Sequence, residues 1–574
     1  MRRLFDKYRS TLGNYQSILS YALLGIIGGL ASGLVVLAFE LAINQLGMLW
    51  KLGENAEGFE TLPHWLRFAL PVGGAILLGL GFSMIKPEDR ETGIVHVISR
   101  MHSHYSILPL RNAVVQFLGG AFAIATGQSG GREGPGVHLG GAINSLLGQK
   151  LGLPNNSLRV LIACGTAGGI AAAFGTPLAG VIFAMEVIIV EYSVIGFIPV
   201  ILAAVTASVV GRFLDTGMEV FGHSEVHLNS LWEIPYVLLL GICCGLAVTG
   251  FIKISRLSAR LSHWPVALRF TLAGLLTGSL AWYVPETLGM GYDTLRLTLL
   301  GEVAPIALLT IALCKILATS FSCGVGMPIG LIGPNLLIGA CLGGILGFIG
   351  HATMPHLASD PALYIVIGMA ACMGAVLNAP LAAILAVVEL TETIHIAMPA
   401  LLAVVAATLT NTGVFRQQSA HQTVLQQLKR AVPNDPVNQL LHRTAITSSL
   451  EVSVIKLSVS LNRERAELLA MAPPAWCLVE RGTEILYLVK GQDLADWLAN
   501  NPTEEEELDL AQADIRRWTI AALPNQATLR QALDTMHAET VEAVWVYSRG
   551  AGGSRVLEGI VTREAVEKFS LSKL

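Results

Sequence analysis

The chain has 574 residues, 53% of them hydrophobic and only 14% charged, with a mean hydropathy of +0.60; an ordinary soluble domain carries roughly 25% charged residues. A net charge of −4 and a pI near 6.4 exclude the basic face of a nucleic-acid binder. Charge is also unevenly placed: 34 of the 144 residues from 431 to 574 are Asp, Glu, Lys or Arg, against 44 of the first 430. Composition therefore divides the chain into a membrane body, residues 1–430, and an aqueous domain, residues 431–574.

The basic N-terminus MRRLFDKYRS precedes an apolar run from Ser17 to Trp50. That run exceeds a signal-peptide core of roughly 7–15 residues. It reads as a first membrane helix whose basic end stays in the cytoplasm. Uncharged candidates for further spans are Phe68–Ile85, Leu161–Met185, Tyr192–Gly211, Ile234–Ile252 and Pro361–Val388. Ile316–Ser359 is uncharged too, and too long for one span of about 20 residues. Gly and Pro interrupt these runs at Gly127–Pro135 and Gly324–Pro334. Freed backbone groups cannot face lipid, so such breaks line a cavity. The eight cysteines lie mostly in apolar runs without a CxxC pair and read as buried hydrophobes. The histidines form no HExxH motif, so no metal site is expected; His102 and His104 read as a surface helix end.

The body repeats. Gly165–Glu186 and Gly368–Glu389 align without a gap, matching Pro177 to Pro380 and Glu186 to Glu389 at a separation of 203 residues. Gly131–Gly140 and Gly330–Gly339 share GxxGPxxxxG at a separation of 199. The repeated halves run from about 17 to 215 and from about 230 to 430. Duplicated halves with broken helices point to a transporter or channel with its site at the repeat interface. The spacing leaves open whether the copies are parallel or inverted.

In the tail, Trp476–Leu498 and Ala543–Phe569 each read as strand, turn, strand and helix, and a helix-period stretch precedes the second. The acidic run Asn501–Leu510 reads as a solvated linker.

The richest stretch is Gly131-Arg132-Glu133-Gly134-Pro135. An ionisable residue in an apolar body is a functional candidate. Glu133 opens a helical run, where free N–H groups and partial positive charge favour an anion. Its carboxylate competes with a permeant anion, and protonation removes the competitor. A rival reading takes Gly127-Gln128-Ser129-Gly130 as the GxSG turn of a rhomboid-like intramembrane serine protease paired with His351.

These motifs resemble the CLC family of chloride channels and chloride/proton antiporters, in its bacterial branch. GREGP is the family's signature, and Gly330–Pro334 resembles its GxFxP with Ile332 at the Phe position. The resemblance spans roughly residues 17–430 and includes PLAG (Pro177–Gly180) and NAPLA (Asn378–Ala382). It implies an all-α polytopic membrane protein of two inverted halves and a homodimer with a pore in each subunit. It also implies chloride or a similar small anion held by main-chain amides, those of Leu331 and Ile332 among them, with Glu133 as the gate. The tail resembles a tandem pair of CBS domains, an α/β cytoplasmic regulatory module. Adenine nucleotide could contact Asp493, Thr562 and Glu564 there, although the degenerate first copy favours an interface module without nucleotide.

Three departures matter. The family's GSGIP stands here as Glu91-Thr92-Gly93-Ile94-Val95, which leaves Thr92, Gly93 and Ile94 as the inner anion contacts. His421 falls at the place of the central tyrosine. The intracellular proton glutamate falls on Val187, which carries no proton; Glu186 and Glu191 are the nearby acids. The expectation is a passive voltage- or pH-gated chloride channel in the inner (plasma) membrane, with both termini cytoplasmic and neither cofactor nor metal. The alternative is a chloride/proton antiporter of the same family.

Overall fold

The computed structural model describes residues 18–573 apart from 53–56, 191–193, 214–226, 354, 357, 429, 431–436, 438–439, 442–443, 483, 502–506 and 550–554. The chain divides into two compact units, one of residues 17–151 and 158–432, the other containing residues 433–574.

The first unit is helical. Its first half contains α1 (Ile18–Met48), α2 (His64–Ser83), α3 (Gly93–Ser103), α4 (Leu110–Ala125), α5 (Glu133–Leu151), α6 (Asn155–Phe174), α7 (Pro177–Phe183) and α8 (Val194–Phe213). The second half contains α9 (Ile234–Ala259), α10 (Val266–Ala281), α11 (Tyr292–Leu299), α12 (Pro305–Gly324), α13 (Ile332–Thr353), α14 (Pro361–Leu377), α15 (Pro380–Thr391), α16 (Ala397–Thr408) and α17 (Ala420–Gln427). Among the described residues, seven helices are long and apolar enough to cross a bilayer. Faces of α1, α9 and α12 carry exposed leucines and isoleucines such as Leu23, Leu246 and Leu313, the composition of a lipid contact.

Two expected single spans are each a pair of helices. Leu161–Met185 breaks where Gly175 takes φ +72° before Pro177, and Pro361–Val388 breaks where Asn378 takes φ +54° before Pro380. Only Gly, and less often Asn, adopts that left-handed conformation readily. Pro then starts the next helix, because its missing N–H is unneeded there. Gly175 and Asn378 stand 203 residues apart, so the break itself is duplicated.

The two halves meet reciprocally. The N–H of Gly131 donates to the carbonyl of Gly330 and that of Gly330 to the carbonyl of Gly131, both at 2.7 Å. An antiparallel bridge between equivalent residues requires a local twofold relation between the copies. The same relation recurs at Glu186 and Glu389. Glu389 accepts from the amides of Leu178 and Ala179 at 2.9 and 2.8 Å, and Glu186 from those of Leu381 and Ala382 at 3.3 and 2.9 Å. Each half thus supplies the acid that caps the other's broken helix, satisfying amides that the helix start leaves without partners.

The second unit is α/β and itself duplicated. β1 (Val454–Ser458), α18 (Arg463–Met471), β3 (Trp476–Arg481), β4 (Glu484–Lys490) and α19 (Gly491–Asn500) repeat as β6 (Ile520–Pro524), α20 (Leu529–Ala538), β7 (Ala543–Arg549), β8 (Arg555–Thr562) and α21 (Arg563–Lys573). In both copies the first strand pairs parallel with the second and the third closes antiparallel. Leu478 and Leu488 of one sheet pack on Ala543, Trp545 and Ile560 of the other. Of the acidic run expected to be a linker, Glu507–Asp509 instead forms β5, antiparallel to β2 (Ser460–Asn462), and residues 502–506 lie outside the described residues.

Candidate functional site

The Gly131–Gly330 bridge fixes the start of α5 beside the start of α13. Glu133 is the first residue of α5 and is fully buried. Its side chain turns back across the bridge, where Gly333, at the N-terminus of α13, donates its amide to Oε2 at 3.4 Å. A Cβ on Gly131 would stand 2.0 Å from Oε2, so glycine is required for the carboxylate to lie there. The carboxylate therefore occupies the first-turn amides of the opposite half's helix, where an anion would bind.

Tyr292, at the start of α11, donates its hydroxyl to Oε1 of Glu133. Gly291 turns the chain into α11 at φ +87°. The buried Lys315 of α12 donates to the carbonyls of Thr287, Leu288 and Gly289 at 2.9–3.1 Å and holds the preceding turn. On the other flank, Arg132 forms a buried ion pair with Glu40 of α1 and donates to the carbonyl of Ala173 at 3.3 Å. Glu40 and Lys315 had a signal in the sequence, each being a lone charge in an apolar helix. Tyr292 had none, since it lies between runs without a recognisable motif. A hydrogen bond to a charged acceptor contributes about 1.5–3 kcal/mol. Tyr292→Phe is accordingly expected to raise chloride flux at neutral pH about tenfold, measured as initial efflux from proteoliposomes.

A cavity of about 580 Å³ lies in the same unit and is lined by Gly134, the residue after Glu133, and by Gly330 and Leu331. Thr92, Gly93, Ile94 and His421 also line it. The structure thus brings four inner positions and Leu331 to one space, whereas Ile332 is buried beside it and does not line it. The Gly93 amide is already engaged, donating at 2.6 Å to Oε1 of Gln116, whose Nε2 donates to the carbonyl of Pro328 at 3.0 Å. An anion on that amide has to displace Gln116. The hydroxyl of Thr92 caps nothing. His421 is buried, with an Nδ1 that has no hydrogen-bond partner among the described residues.

Val187 lies buried in a π-helical turn, Ala184–Ile189. Glu186 is engaged in capping α15, and Glu191 falls outside the described residues. The Ser129 hydroxyl pairs with Thr319 at 2.8 Å. His351 sits exposed near the far end of α13, about 28 Å along the axis from its start at 1.5 Å per residue. A Ser–His dyad is therefore not assembled. In the tail, Asp493 lies in the first turn of α19 and Glu564 in that of α21, while Oγ1 of Thr562 accepts from the Ala565 amide at 3.2 Å and caps α21.

The family model of voltage gated chloride channels matches residues 73–412. A protein from Ralstonia nicotianae with a ClcB-like chloride channel name is 33% identical over 404 residues, 68% of this chain and 92% of its own length. The H(+)/Cl(-) exchange transporter ClcA of Vibrio cholerae is 29% identical over 459 residues, 78% of this chain and 94% of its own. Among solved structures, a slow cyanobacterial Cl-/H+ antiporter shares the fold at TM-score 0.63 and 23% identity, over 72% of this chain and 99% of its own. A eukaryotic CLC transporter does so at TM-score 0.59 and 19% identity, over 95% of this chain and 97% of its own.

Proposed function

The chain belongs to the voltage gated chloride channel (CLC) family, and from that premise we propose that it is a chloride/proton antiporter rather than a passive channel. The observation that carries this reading is the position of Glu133. Its carboxylate is fully buried and lies on the amide of Gly333, and the next residue, Gly134, lines the cavity. A group that must leave an anion site for an anion to enter, and that leaves as a neutral acid, couples the two ions. Relatives named H(+)/Cl(-) exchange transporter, 28–29% identical over 71–78% of this chain, support antiport over the channel that Val187 suggested.

The reading extends to the surroundings. Residues 1–430 form the permeation domain in the inner (plasma) membrane, with Thr92, Ile94, Leu331, Ile332 and His421 along the anion's path. Residues 431–574 form a cytoplasmic CBS-like regulatory domain, with the N-terminus on the same side. The working unit is a homodimer in which each copy has its own pathway. The first tail copy, with only Asp493 near the corresponding place, favours a tail that binds no nucleotide.

The test uses protein in liposomes under an outward chloride gradient, with external pH and chloride release recorded together. Protons moving against their own gradient, driven by chloride, are the expected result. Chloride release that requires a potassium ionophore, with no uphill proton movement, overturns antiport in favour of the channel.

A further inference from the structure

An antiporter must bring protons from the inner side to Glu133, and Val187 takes no part in that. Of the acids near it, Glu186 accepts two amides as the cap of α15, and Glu191 lies outside the described residues. Elsewhere in the same unit the fold buries two imidazoles against one another. Nδ1 of His96, on α3, lies 2.8 Å from Nε2 of His138, on α5, with ring centroids 5.0 Å apart. Both are buried, and Nδ1 of His138 has no hydrogen-bond partner among the described residues. Nε2 of His96 lies 3.9 Å from the carboxylate of Glu91, which is partly exposed and accepts from Arg430 at 2.5 Å. Glu91, His96 and Gly134, the residue after Glu133, all line the same cavity.

We propose that Glu91, His96 and His138 form the inner proton relay of this transporter, ending at Glu133. The inference rests on the antiport reading. His138 follows Glu133 on the same helix by five residues, about 7.5 Å along the axis and about 140° around it, so the last transfer of the proposed relay requires intervening water. The groups acting on His96 are Glu91, Arg100 and His104 of its own segment, Arg430 beyond α17, and His138. The ring of His138 meets that of His96.

The step balances. A proton passes from the Glu91 carboxyl to Nε2 of His96, and the Nδ1 proton of His96 moves to Nε2 of His138. The Nδ1 proton of His138 then leaves toward the Glu133 carboxylate. Each ring is a cation only in passing, and ring reorientation restores the starting tautomers. A neutral imidazole carries one donor and one acceptor nitrogen, which makes such a pair a conductor of protons. A glutamine amide keeps a donor and an acceptor but does not exchange them.

The variants that test this are His138→Gln and His96→Gln, each in liposomes beside the wild type, with chloride and proton fluxes read in the same vesicles. Monodisperse elution in detergent at wild-type yield reports an intact fold; should His138→Gln fail that, His96→Gln carries the test. The expected result is a loss of uphill proton flux of about tenfold or more, and a proton-to-chloride ratio reduced to match. A pair that only packs leaves that ratio unchanged, and an unchanged ratio in the variants overturns the relay while leaving antiport standing. A wild type that never moves protons uphill overturns both readings.

Discussion

Glu133→Gln is expected to abolish uphill proton movement and to leave chloride flux insensitive to external pH. The amide matches the carboxylate in shape yet neither binds the transported proton nor carries the charge that competes with chloride. An anionic side chain at a helix N-terminus is held by up to about 2 kcal/mol in partly buried geometry. Its loss should therefore raise chloride flux at neutral pH about tenfold, 1.4 kcal/mol being one decade. The wild type, in contrast, should conduct faster as the outer side is acidified, because protonation releases the carboxylate from the Gly333 amide. Flux recorded across a series of external pH values checks both halves. A variant that keeps the full pH dependence removes Glu133 from the gating role.

Glu40→Ala is expected to cost about 3–5 kcal/mol, because it leaves the Arg132 guanidinium buried without its counter-charge. Against a total stability of about 5–15 kcal/mol, that is a large share, and most of the protein should fail to reach a monodisperse folded form. The damage falls on the site as well as the fold, since Arg132 precedes Glu133 in the bridge loop. Removing both charges, as Glu40→Leu with Arg132→Met, should be milder than the single change, because no unpaired ion is left buried. Thermal midpoints in detergent order the variants. A single variant within about 1 kcal/mol of wild type overturns the structural role given to the pair.

Much of this molecule follows from its sequence, and for reasons that can be named. The division near residue 430 follows from charge density, since lipid and water select opposite compositions. The duplication follows from matched glycines and prolines, whose backbone demands survive where side chains drift: Gly175 and Asn378 hold the same left-handed break in the two halves. Glu133 stands out in the sequence as a candidate because an acid between glycines in an apolar run has few structural uses. The CLC fold followed from those motifs together.

What the tertiary structure decided are the contacts between residues far apart in the chain. The twofold relation of the halves appears only in the Gly131–Gly330 bridge and in the crossed caps of Glu186 and Glu389. Aligned repeats read the same for parallel and inverted copies, so the spacing left that open. Gln116 reaches the Gly93 amide from 23 residues away, and Tyr292 reaches Glu133 from 159. Neither position has a local pattern, because a single hydrogen bond across the fold leaves no periodicity in the chain. The capping role of Glu186 and the meeting of His96 with His138 are of the same kind. Composition and local motifs report what each segment is made for; which distant side chains it meets is settled only by packing.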